Sequence, residues 1–533
     1  MFRNLLVLFC FISFGTVAQT NRYFVFFKDK TGTPYTIAQP EDFLSAKSIA
    51  RRQSQQIIIT ETDLPVNPAY IQQLKDMGVD TYYTSRWWNG VLVEAEVSEA
   101  TTISALPIVD QVLLVAPGNK FSNGRIKRVK RRLNTADQPL ANATQLTQLG
   151  IPAMHNNGNR GEGISIAIFD SGFQGVNVTA PFSLLNTENR IKQTFNFVSN
   201  NANVFTADDH GTEVLSVMAA YMEGTYEGGA YLADYYLYLT EDVSSEYRIE
   251  EFNWTFAAEK ADSAGVQIIN SSLGYNLFDD EGMDYTKTQL NGETAYITRA
   301  ARMAIERGIL VVCSAGNEGN NAWQLVTPPA DASGVLAVGS VTAGGTRSPF
   351  SSVGPTEDNR IKPDVMALGS GTVVIRASGN IGTASGTSLA SPVVASLAAG
   401  VWQAYPDLTA QEIYEVLTQS ASQATSLDHF LGYGIPNFDA VVNYLKEPEP
   451  DHAWILFPNP VVGNRFQVRI DEIENPVTLT VFDNKGVRVA ESSIQINWQN
   501  NPFEYDIAHL LTGLYFVRIQ SGNRQTTFRV MKQ

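Results

Sequence analysis

Cysteine is nearly missing from this sequence of 533 residues, which contains only Cys10 and Cys313. Cys10 falls in a leader segment that is described below, so the mature chain has no pair of cysteines to join. This excludes the small secreted scaffolds whose folds depend on internal disulfides. Histidine is also scarce, with five residues in the whole chain. Any histidine chemistry must therefore come from very few positions.

Positive charge is in deficit as well. The chain has 38 lysines and arginines against 54 aspartates and glutamates, a formal net charge of -16. This balance argues against nucleic acid as a partner, because binding to phosphates needs excess positive charge. One basic run, residues 125–132, stands against the trend. Apolar residues make up 44% and charged residues 17%, which is typical of ordered globular protein, and the length predicts about two to four domains.

Long hydrophobic runs are absent except at the N-terminus. Arg3 is followed by an apolar run at residues 5–14 and by the small residues Thr16-Val-Ala18. This pattern predicts a secretory signal peptide over residues 1–18. The alternative, an N-terminal membrane anchor, needs about 20 apolar residues. We therefore expect export and no transmembrane segment.

The stretch after the leader forms a compact unit of its own, over residues 21–120. Strands are predicted at residues 23–28, 90–97 and 111–115, and helices at residues 40–53 and 68–77. The order indicates a ferredoxin-like α+β arrangement. Since this unit contains no histidine or cysteine, it is not expected to be catalytic. The basic run 125–132 that follows is either a solvated linker or a proteolytic processing region.

Residues 137–446 alternate buried strands with helices. The strands are predicted at residues 164–169, 235–239, 266–271, 309–313 and 335–341, and the helices at residues 210–221, 252–264 and 295–307. Strands that are apolar throughout and separated by helices indicate a parallel sheet covered on both faces. Ligands bind such sheets at the carboxyl ends of the strands. The polar residues just past those ends are therefore the candidates for function.

Four polar residues stand out at strand ends or helix starts. Asp170 follows a fully apolar strand, His210 begins a helix of small residues, and Asn317 follows another buried strand. Ser388 lies at the start of a helix that is apolar on nearly every face. Its plainest interpretation is a helix cap. Together, however, the four supply a nucleophile, a base, an acid to orient the base, and an oxyanion donor, as acyl transfer requires.

The sequence around these residues resembles the subtilases, the subtilisin-like serine peptidases. The matching motifs, in the family's order, are Phe169-Asp-Ser-Gly172, His210-Gly-Thr212, Ser314-Ala-Gly-Asn317 and Gly386-Thr-Ser-Leu-Ala-Ser-Pro392. Supporting matches are Ser351-Ser-Val-Gly-Pro355, Ile361-Lys-Pro-Asp364 and Gly432-Tyr-Gly434. The resemblance implies a subtilisin-like parallel sheet and peptide-bond hydrolysis through an Asp-His-Ser triad.

The resemblance also implies a role for individual residues. Ser388 would be the nucleophile, His210 the general base, Asp170 its orienting acid, and Asn317 the oxyanion donor. The expected substrate-binding residues are Ser272, Leu273, Gly274, Ala315 and Gly316. An unperturbed histidine has a pKa of about 6.5, so activity is expected to fall as acid protonates the base.

No cofactor is expected for the chemistry, and no metal ligand is assigned. The family often binds structural calcium, but no clear ligand loop is found. The acidic stretch Asp279-Asp-Glu281 with Asp284 has the charge to attract a cation, although a solvated insertion is the favoured interpretation because calcium loops need carboxylates at set spacing. One departure is Glu213, which stands where many subtilases have a second histidine. It is not expected to touch the chemistry.

The two flanking regions also resemble known domains. Residues 19–136 are similar in size and element order to the inhibitor-like propeptides of subtilases, with the processing region at their end. Residues 447–452 are an acidic, proline-broken linker. Residues 453–533 consist of short strands with turn signals, which indicate a small all-β sandwich. Phe457-Pro-Asn-Pro460, residues 511–517 and residues 528–533 resemble the C-terminal sorting domain of type IX secretion cargo in Bacteroidota. The alternative is a generic carbohydrate- or surface-binding sandwich.

The sequence thus predicts a secreted serine endopeptidase made as a zymogen. Its expected partners are protein or peptide substrates, its own propeptide as inhibitor, and the type IX secretion machinery. Its expected location is outside the cell or on the cell surface, reached through the periplasm. A second hypothesis from another class is a non-enzymatic surface adhesin built on a decayed subtilase scaffold. The four intact catalytic positions favour the enzyme.

Overall fold

The computed structural model describes residues 20–118, 140–446, 454–470, 473–496 and 501–533. The predicted signal peptide, the predicted processing region and the predicted linker 447–452 lie outside these residues. The chain divides into two units, Met1–Val442 and Asn443–Gln533, and each is described by itself. Within the described ranges, no helix is long and apolar enough to cross a membrane.

The N-terminal part of the first unit is an α+β domain. Its elements are β1 (Asn21–Phe27), α1 (Ala46–Ser54), α2 (Pro68–Asp76), β2 (Asp80–Ser85), β3 (Gly90–Ala95), α3 (Val97–Ser104) and β4 (Val109–Ala116), with 3₁₀ turns at Pro40–Asp42 and Glu61–Asp63. The antiparallel sheet has the order β2-β3-β1-β4, and the ferredoxin-like prediction is confirmed. The helix expected over residues 40–53 is interrupted, because Ser45 caps α1 by accepting a hydrogen bond from the Ser48 N–H.

The larger part of the first unit is an α/β domain. Its helices are α4 (Ala143–Gln148), α5 (Ile151–Asn156), α6 (Ser183–Thr187), α7 (His210–Ala219), α8 (Ile249–Ala264), α9 (Tyr296–Ile305), α10 (Thr387–Ala404), α11 (Ala410–Gln419) and α12 (Phe438–Lys446). Its strands are β5 (Ser165–Asp170), β6 (Ile191–Asn196), β7 (Tyr221–Met222), β8 (Tyr226–Glu227), β9 (Asp234–Leu239), β10 (Ile268–Ser271), β11 (Leu310–Ser314), β12 (Leu336–Val341), β13 (Val365–Leu368), β14 (Thr372–Ile375) and β15 (Ile381–Ala384). Short 3₁₀ turns lie at Ala180–Phe182, Glu281–Met283 and Lys287–Gln289.

A seven-stranded parallel sheet, in the order β13-β12-β11-β10-β5-β9-β6, organises this domain. Helix α10 packs along β10, β11, β12 and β13 and against α7. Helices α8 and α9 pack on each other and on alternate residues of the sheet, such as Phe169 and Val311. The predicted parallel sheet covered by helices is confirmed. The carboxyl ends of β5, β9, β10 and β11 therefore share one edge.

The second unit is all β. Its strands are β16 (Trp454–Phe457), β17 (Arg465–Ile470), β18 (Val477–Asp483), β19 (Arg488–Ile494), β20 (Phe503–Asp506), β21 (Gly513–Ser521) and β22 (Arg524–Lys532). They form sheets in the orders β16-β17-β20 and β19-β18-β21-β22, around a core that includes Val468, Leu479 and Ile519. The predicted sandwich is confirmed. The turn between β18 and β19 closes with Gly486 at φ 79°, which suits a residue without a Cβ.

Candidate active site

Ser388 lies in the first turn of α10. Its Oγ is 3.1 Å from Nε2 of His210, and the residue is only 7% exposed. The residue before the helix is Gly386, where an added Cβ would approach the Ser388 Oγ to 2.8 Å. A glycine is thus needed next to this hydroxyl. At the start of a helix, the hydroxyl also lies near the positive end of the helix dipole.

His210 begins α7, opposite the end of β5. Its Nδ1 is 2.7 Å from Oδ1 of Asp170, while its Nε2 faces Ser388. The close approach of α7 to β5 depends on Gly211, where a Cβ would lie 2.5 Å from the carbonyl oxygen of Gly172. One imidazole is therefore held between a carboxylate and a hydroxyl, the arrangement in which it can move a proton.

Asp170 is the last residue of β5 and is fully buried. Its Oδ1 also accepts hydrogen bonds from the Ser171 backbone N–H at 2.8 Å and from the Ser171 hydroxyl at 3.2 Å. Burial by itself lowers the pKa of His210, but the Asp170 charge and hydrogen bond outweigh it and raise that pKa to about 9. The buried carboxylate thus stabilises the imidazolium, and the loss of activity expected on protonation of His210 stays a prediction.

Asn317 follows β11 and is positioned by α10. Its Oδ1 accepts hydrogen bonds from the Thr387 backbone N–H at 2.9 Å and from the Thr387 hydroxyl at 3.0 Å. With the oxygen held, the amide N–H₂ points away from Thr387. An oriented N–H₂ beside a nucleophile is the donor that an oxyanion needs.

A polar network fixes the start of α10 to the end of β10. Pro392 has no N–H to donate to the carbonyl of Ser388, four residues earlier. The Ser272 hydroxyl donates to that carbonyl instead, at 2.8 Å. Asn270 donates to the Ser272 Oγ at 3.1 Å and accepts from the Ser391 hydroxyl at 2.8 Å. Sequence reasoning missed Asn270 and Ser391, although a polar residue inside an apolar strand was a usable signal.

A cleft of about 880 Å³ opens beside Ser388 and His210. Four of the five predicted substrate-binding residues line it, namely Ser272, Leu273, Gly274 and Gly316. Ala315 is not among the residues that line the cleft, and its side chain is fully buried in the core around α8 and α9, so its part in substrate binding stays a prediction. It follows directly on β11, and its backbone is hydrogen-bonded on both sides, to Val338 and to Thr327.

Nine carboxylates also line the cleft, and the sequence analysis singled out few of them. They are Asp208, Asp209, Glu213, Glu241, Asp242, Glu246, Glu250, Asp279 and Glu318. Glu213 is ion-paired with Arg376. Burial, followed by the nearby charge of Glu246, raises the pKa of Glu241 to about 8. The cleft is therefore rich in carboxylates, although Glu213 is compensated by Arg376 and Glu241 is mostly protonated near neutral pH.

The acidic stretch that was considered for a cation is used by its own loop. Asp279 accepts from the Glu246 N–H, Asp280 from the Gly282 N–H, and Asp284 from the Phe278 N–H. In the part of the chain that the structure describes, no group of three or more histidines, cysteines or acidic residues is placed to hold a metal ion. The structural calcium that the resemblance allows thus has no located site.

The N-terminal domain covers α8, whose first turn contributes Glu250 to the cleft. Phe24 of β1 stacks on Phe252 of α8 with ring centroids 4.4 Å apart. Asp262 of α8 is fully buried and forms ion pairs with three arginines of this domain, Arg51, Arg52 and Arg86. Aromatic stacking and ion pairs together therefore hold the two domains against each other.

Comparisons with known proteins agree with this architecture. The model of the subtilase family (Peptidase S8) matches residues 161–434, just over half of the chain. A model of the peptidase S8 propeptide domain of Bacteroidota matches residues 22–131, and a model of the secretion system C-terminal sorting domain matches residues 455–533. The three matches follow one another along the chain in the order of the three described domains.

Two curated relatives and one solved structure extend the comparison. A subtilisin from Bacillus pumilus is 28% identical over 300 residues, covering 55% of this chain and 96% of the relative. Subtilisin NAT from Bacillus subtilis subsp. natto is 28% identical over 299 residues, covering 55% and 70%. The structure of an epidermin leader peptide processing serine protease from Staphylococcus aureus aligns with a TM-score of 0.57 at 16% identity, covering 80% of this chain and 100% of the other. This last likeness concerns the fold alone.

Proposed function

Because this chain belongs to the subtilase family and is a subtilisin-like serine endopeptidase, we propose that Ser388, His210 and Asp170 are its catalytic triad. The supporting observation is the continuous contact from the Asp170 carboxylate through the imidazole to the Ser388 hydroxyl, at 2.7 and 3.1 Å. Family membership also favours the peptidase over the adhesin hypothesis.

The proposed reaction proceeds in two halves. The Ser388 Oγ bonds to the scissile carbonyl carbon while its proton moves to His210 Nε2. The C–N bond then breaks, and His210 gives the proton to the leaving amine. Water next attacks the acyl ester, His210 takes the water's proton and returns it to Ser388, and the new carboxyl group leaves. No cofactor takes part, since side chains supply the nucleophile and the base.

Asn317 and Asp170 have supporting roles in this proposal. The N–H₂ of Asn317 donates to the oxyanion that forms at each tetrahedral stage, an interaction made mainly in the transition state. Asp170 holds the proton on Nδ1 of His210, which leaves Nε2 able to accept the proton from Ser388. Ser272, Leu273, Gly274 and Gly316 contact the substrate, and Ser272 additionally holds the carbonyl of Ser388.

The N-terminal domain is proposed to be an inhibitory propeptide. This is supported by its family match over residues 22–131 and by its contacts with α8. Maturation would cut the segment between residues 120 and 137. The sorting domain indicates secretion or attachment at the cell surface, and we place the route through the periplasm and the type IX machinery.

The test compares the wild type, Ser388→Ala and a control, Ser396→Ala. Ser396 lies on the same helix, and its hydroxyl donates only to the Pro392 carbonyl in this structure. Each full-length protein is incubated with casein and a fluorophosphonate and then analysed by mass spectrometry. We expect the wild type and Ser396→Ala to be labelled on Ser388, shortened and active, while Ser388→Ala shows none of these. Labelling or casein cleavage by Ser388→Ala would refute the assignment.

A further inference from the structure

The charge of the cleft is one-sided. Nine carboxylates line it, and among its lining residues in the described ranges there is no lysine or arginine. These carboxylates form no metal-holding group; with Glu213 paired to Arg376 and the pKa of Glu241 raised to about 8, the other seven supply the negative charge along the cleft. A concave surface with one sign of charge focuses its field and attracts ligands of the opposite sign.

Five of these carboxylates form what we call the acidic wall, consisting of Glu241, Asp242, Glu246, Glu250 and Asp279. Hydrogen bonds hold them in place. The Asp242 N–H donates to Glu250, the Glu246 N–H donates to Asp279, and the Tyr275 hydroxyl donates to Glu241 at 2.6 Å. Tyr275 directly follows Gly274, so the wall flanks the expected substrate-binding strip 272–274.

A second observation at the same cleft points to a polar ligand. Thr327 lines the cleft, is 2% exposed, and its Oγ1 has no hydrogen-bond partner among the residues that the structure describes. This oxygen lies between two glycines, since a Cβ added at Gly274 would approach it to 2.1 Å and one at Gly316 to 2.9 Å. A buried hydroxyl without a partner costs free energy unless a ligand bonds to it. Because a hydroxyl can donate or accept, the pocket suits a polar side chain, including one that carries a hydrogen-bond donor.

The chain itself contains a matching sequence. Six of the eight residues from Arg125 to Arg132 are lysine or arginine, although the protein as a whole is acidic. This run lies between the N-terminal domain and the peptidase domain, where maturation must cut. Charge complementarity therefore connects the acidic wall with the protein's own processing region.

We propose that the cleft selects peptides with lysine or arginine on the acyl side of the scissile bond, and that the segment 125–132 is such a substrate. We place the lysine or arginine on the acyl side of the scissile bond because the acidic wall lies beside the strip 272–274. Thr327 accepts a hydrogen bond from a donor-bearing side chain in the pocket. This proposal rests on the proposed peptidase function and names the substrate class for the same site.

The test uses mature enzyme, obtained by letting the purified full chain process itself, and two peptides with the sequence of residues 122–136. One peptide is native, and in the other every arginine is citrulline and every lysine is acetyl-lysine, so that charge is removed and side-chain size is largely kept. We expect kcat/KM to be about 10- to 100-fold higher for the native peptide, since close charge pairs in a cleft are worth this much. The ratio should shrink in about 1 M salt, which reduces the Debye length to about 3 Å.

Matched variants assign the preference to the wall. Asp242→Asn combined with Glu246→Gln removes two charges from the cleft and should lower the ratio at least about threefold. Asp407→Asn combined with Glu415→Gln removes the same charge from exposed positions outside the cleft and should leave the ratio unchanged. N-terminal sequencing of the mature wild type should place the cut after a basic residue.

The outcomes separate this inference from the function on which it rests. An enzyme that is labelled on Ser388 but cleaves both peptides equally, or prefers the neutral one, overturns the inference and leaves the peptidase function intact. An equal loss of the ratio in both double variants would also overturn it, since the wall would then have no special part. An enzyme that neither takes the label nor cuts either peptide refutes the peptidase function, and the inference falls with it. The wild-type ratio decides the question even if a variant fails to fold.

Discussion

Asp262 and Asp170 are both fully buried carboxylates, but their surroundings differ. Asp262 faces three arginines at the contact between the N-terminal domain and α8. Asp170 faces one imidazole and the N–H and hydroxyl of Ser171. The first carboxylate is neutralised by permanent cations. The second is neutralised only when His210 carries a proton.

A buried carboxylate thus stabilises the contact between two domains at Asp262, whereas at Asp170 it changes the pKa of a histidine. Burial alone would raise the pKa of Asp262, but the charges of Arg86, Arg51 and Arg52 hold it below its usual range. Its contribution to stability is therefore present above the unfolded pKa of about 3.9 and is lost as the pH falls through the lower folded pKa. Asp170 instead changes the pKa of its partner, within the range where an enzyme works.

Replacing aspartate by asparagine should reduce kcat strongly at position 170 and hardly at all at position 262. Asp170→Asn is expected to reduce kcat by about 10⁴, because the amide no longer holds His210 in the required tautomer. Asp262→Asn, produced as mature enzyme, should leave kcat nearly unchanged. Steady-state kinetics on a neutral peptide checks both. A loss below about tenfold in Asp170→Asn would contradict the triad.

The free energy of unfolding, in contrast to kcat, should depend strongly on Asp262. In the Ser388→Ala precursor, Asp262→Asn is expected to lower the free energy of unfolding by about 3–5 kcal/mol, because it removes the counter-charge that three buried arginines share, although Arg52 keeps its ion pair with Asp63. Denaturant unfolding followed by tryptophan fluorescence measures this. Glu41→Gln, a change at an exposed position of the same domain, is the control and should have little effect. Equal stabilities would show that the ion pairs contribute nothing net.

Removing the amide donor of Asn317 should reduce kcat less than replacing Asp170 does. Asn317→Ala is expected to lower kcat by about 10²–10³ with KM little changed, because the oxyanion interaction is made mainly in the transition state. Asn321→Ala, in the same loop but not lining the cleft, should retain nearly full activity. A rise in KM at constant kcat would assign Asn317 to substrate binding instead.

The smallest effect is a shift along the pH axis. Since the Asp170 charge helps raise the pKa of His210 to about 9, kcat/KM should increase about tenfold per pH unit below that value. The raised pKa also means that this pair stabilises the fold fully below the unfolded value of about 6.5, and that the stabilisation is lost as the pH rises through about 9. Raising the pH through about 9 should therefore increase kcat/KM and at the same time lower the free energy of unfolding. A midpoint near 6.5 would show that Asp170 does not control the base.

The sequence predicted those parts of the structure that have a strong local signal. Buried strands such as β5 and β11 were expected within a few residues of their ends, and α10 was found from its unbroken apolar run. Strands β6 and β13 were missed. The first has a partly polar, half-exposed sequence at the sheet edge, and the second has only four residues. Neither strand has the length, or the alternation of apolar and polar residues, from which a strand can be predicted.

The site residues that belong to sequence motifs could be predicted. Those that the fold brings together from distant loops could not. The four proposed catalytic residues each follow a recognisable strand end or helix start. The acidic wall instead comes from loops near residues 241–246 and 279 and from the first turn of α8, which nothing in the sequence connects. Of the arginines that bind Asp262, Arg51 and Arg52 lie on α1, and Arg86 follows directly on β2.

The aromatic contact between Phe24 and Phe252 has a consequence for the life of the protein. As long as residues 20–118 are attached, α8 and α9 are a hydrophobic interior. If the N-terminal domain is removed as proposed, Phe252, Tyr296 and the carboxylate of Asp262 lose the groups that cover them. The proposed precursor and mature enzyme would therefore present different faces to their surroundings. Solubility and adhesion must be judged separately for each form.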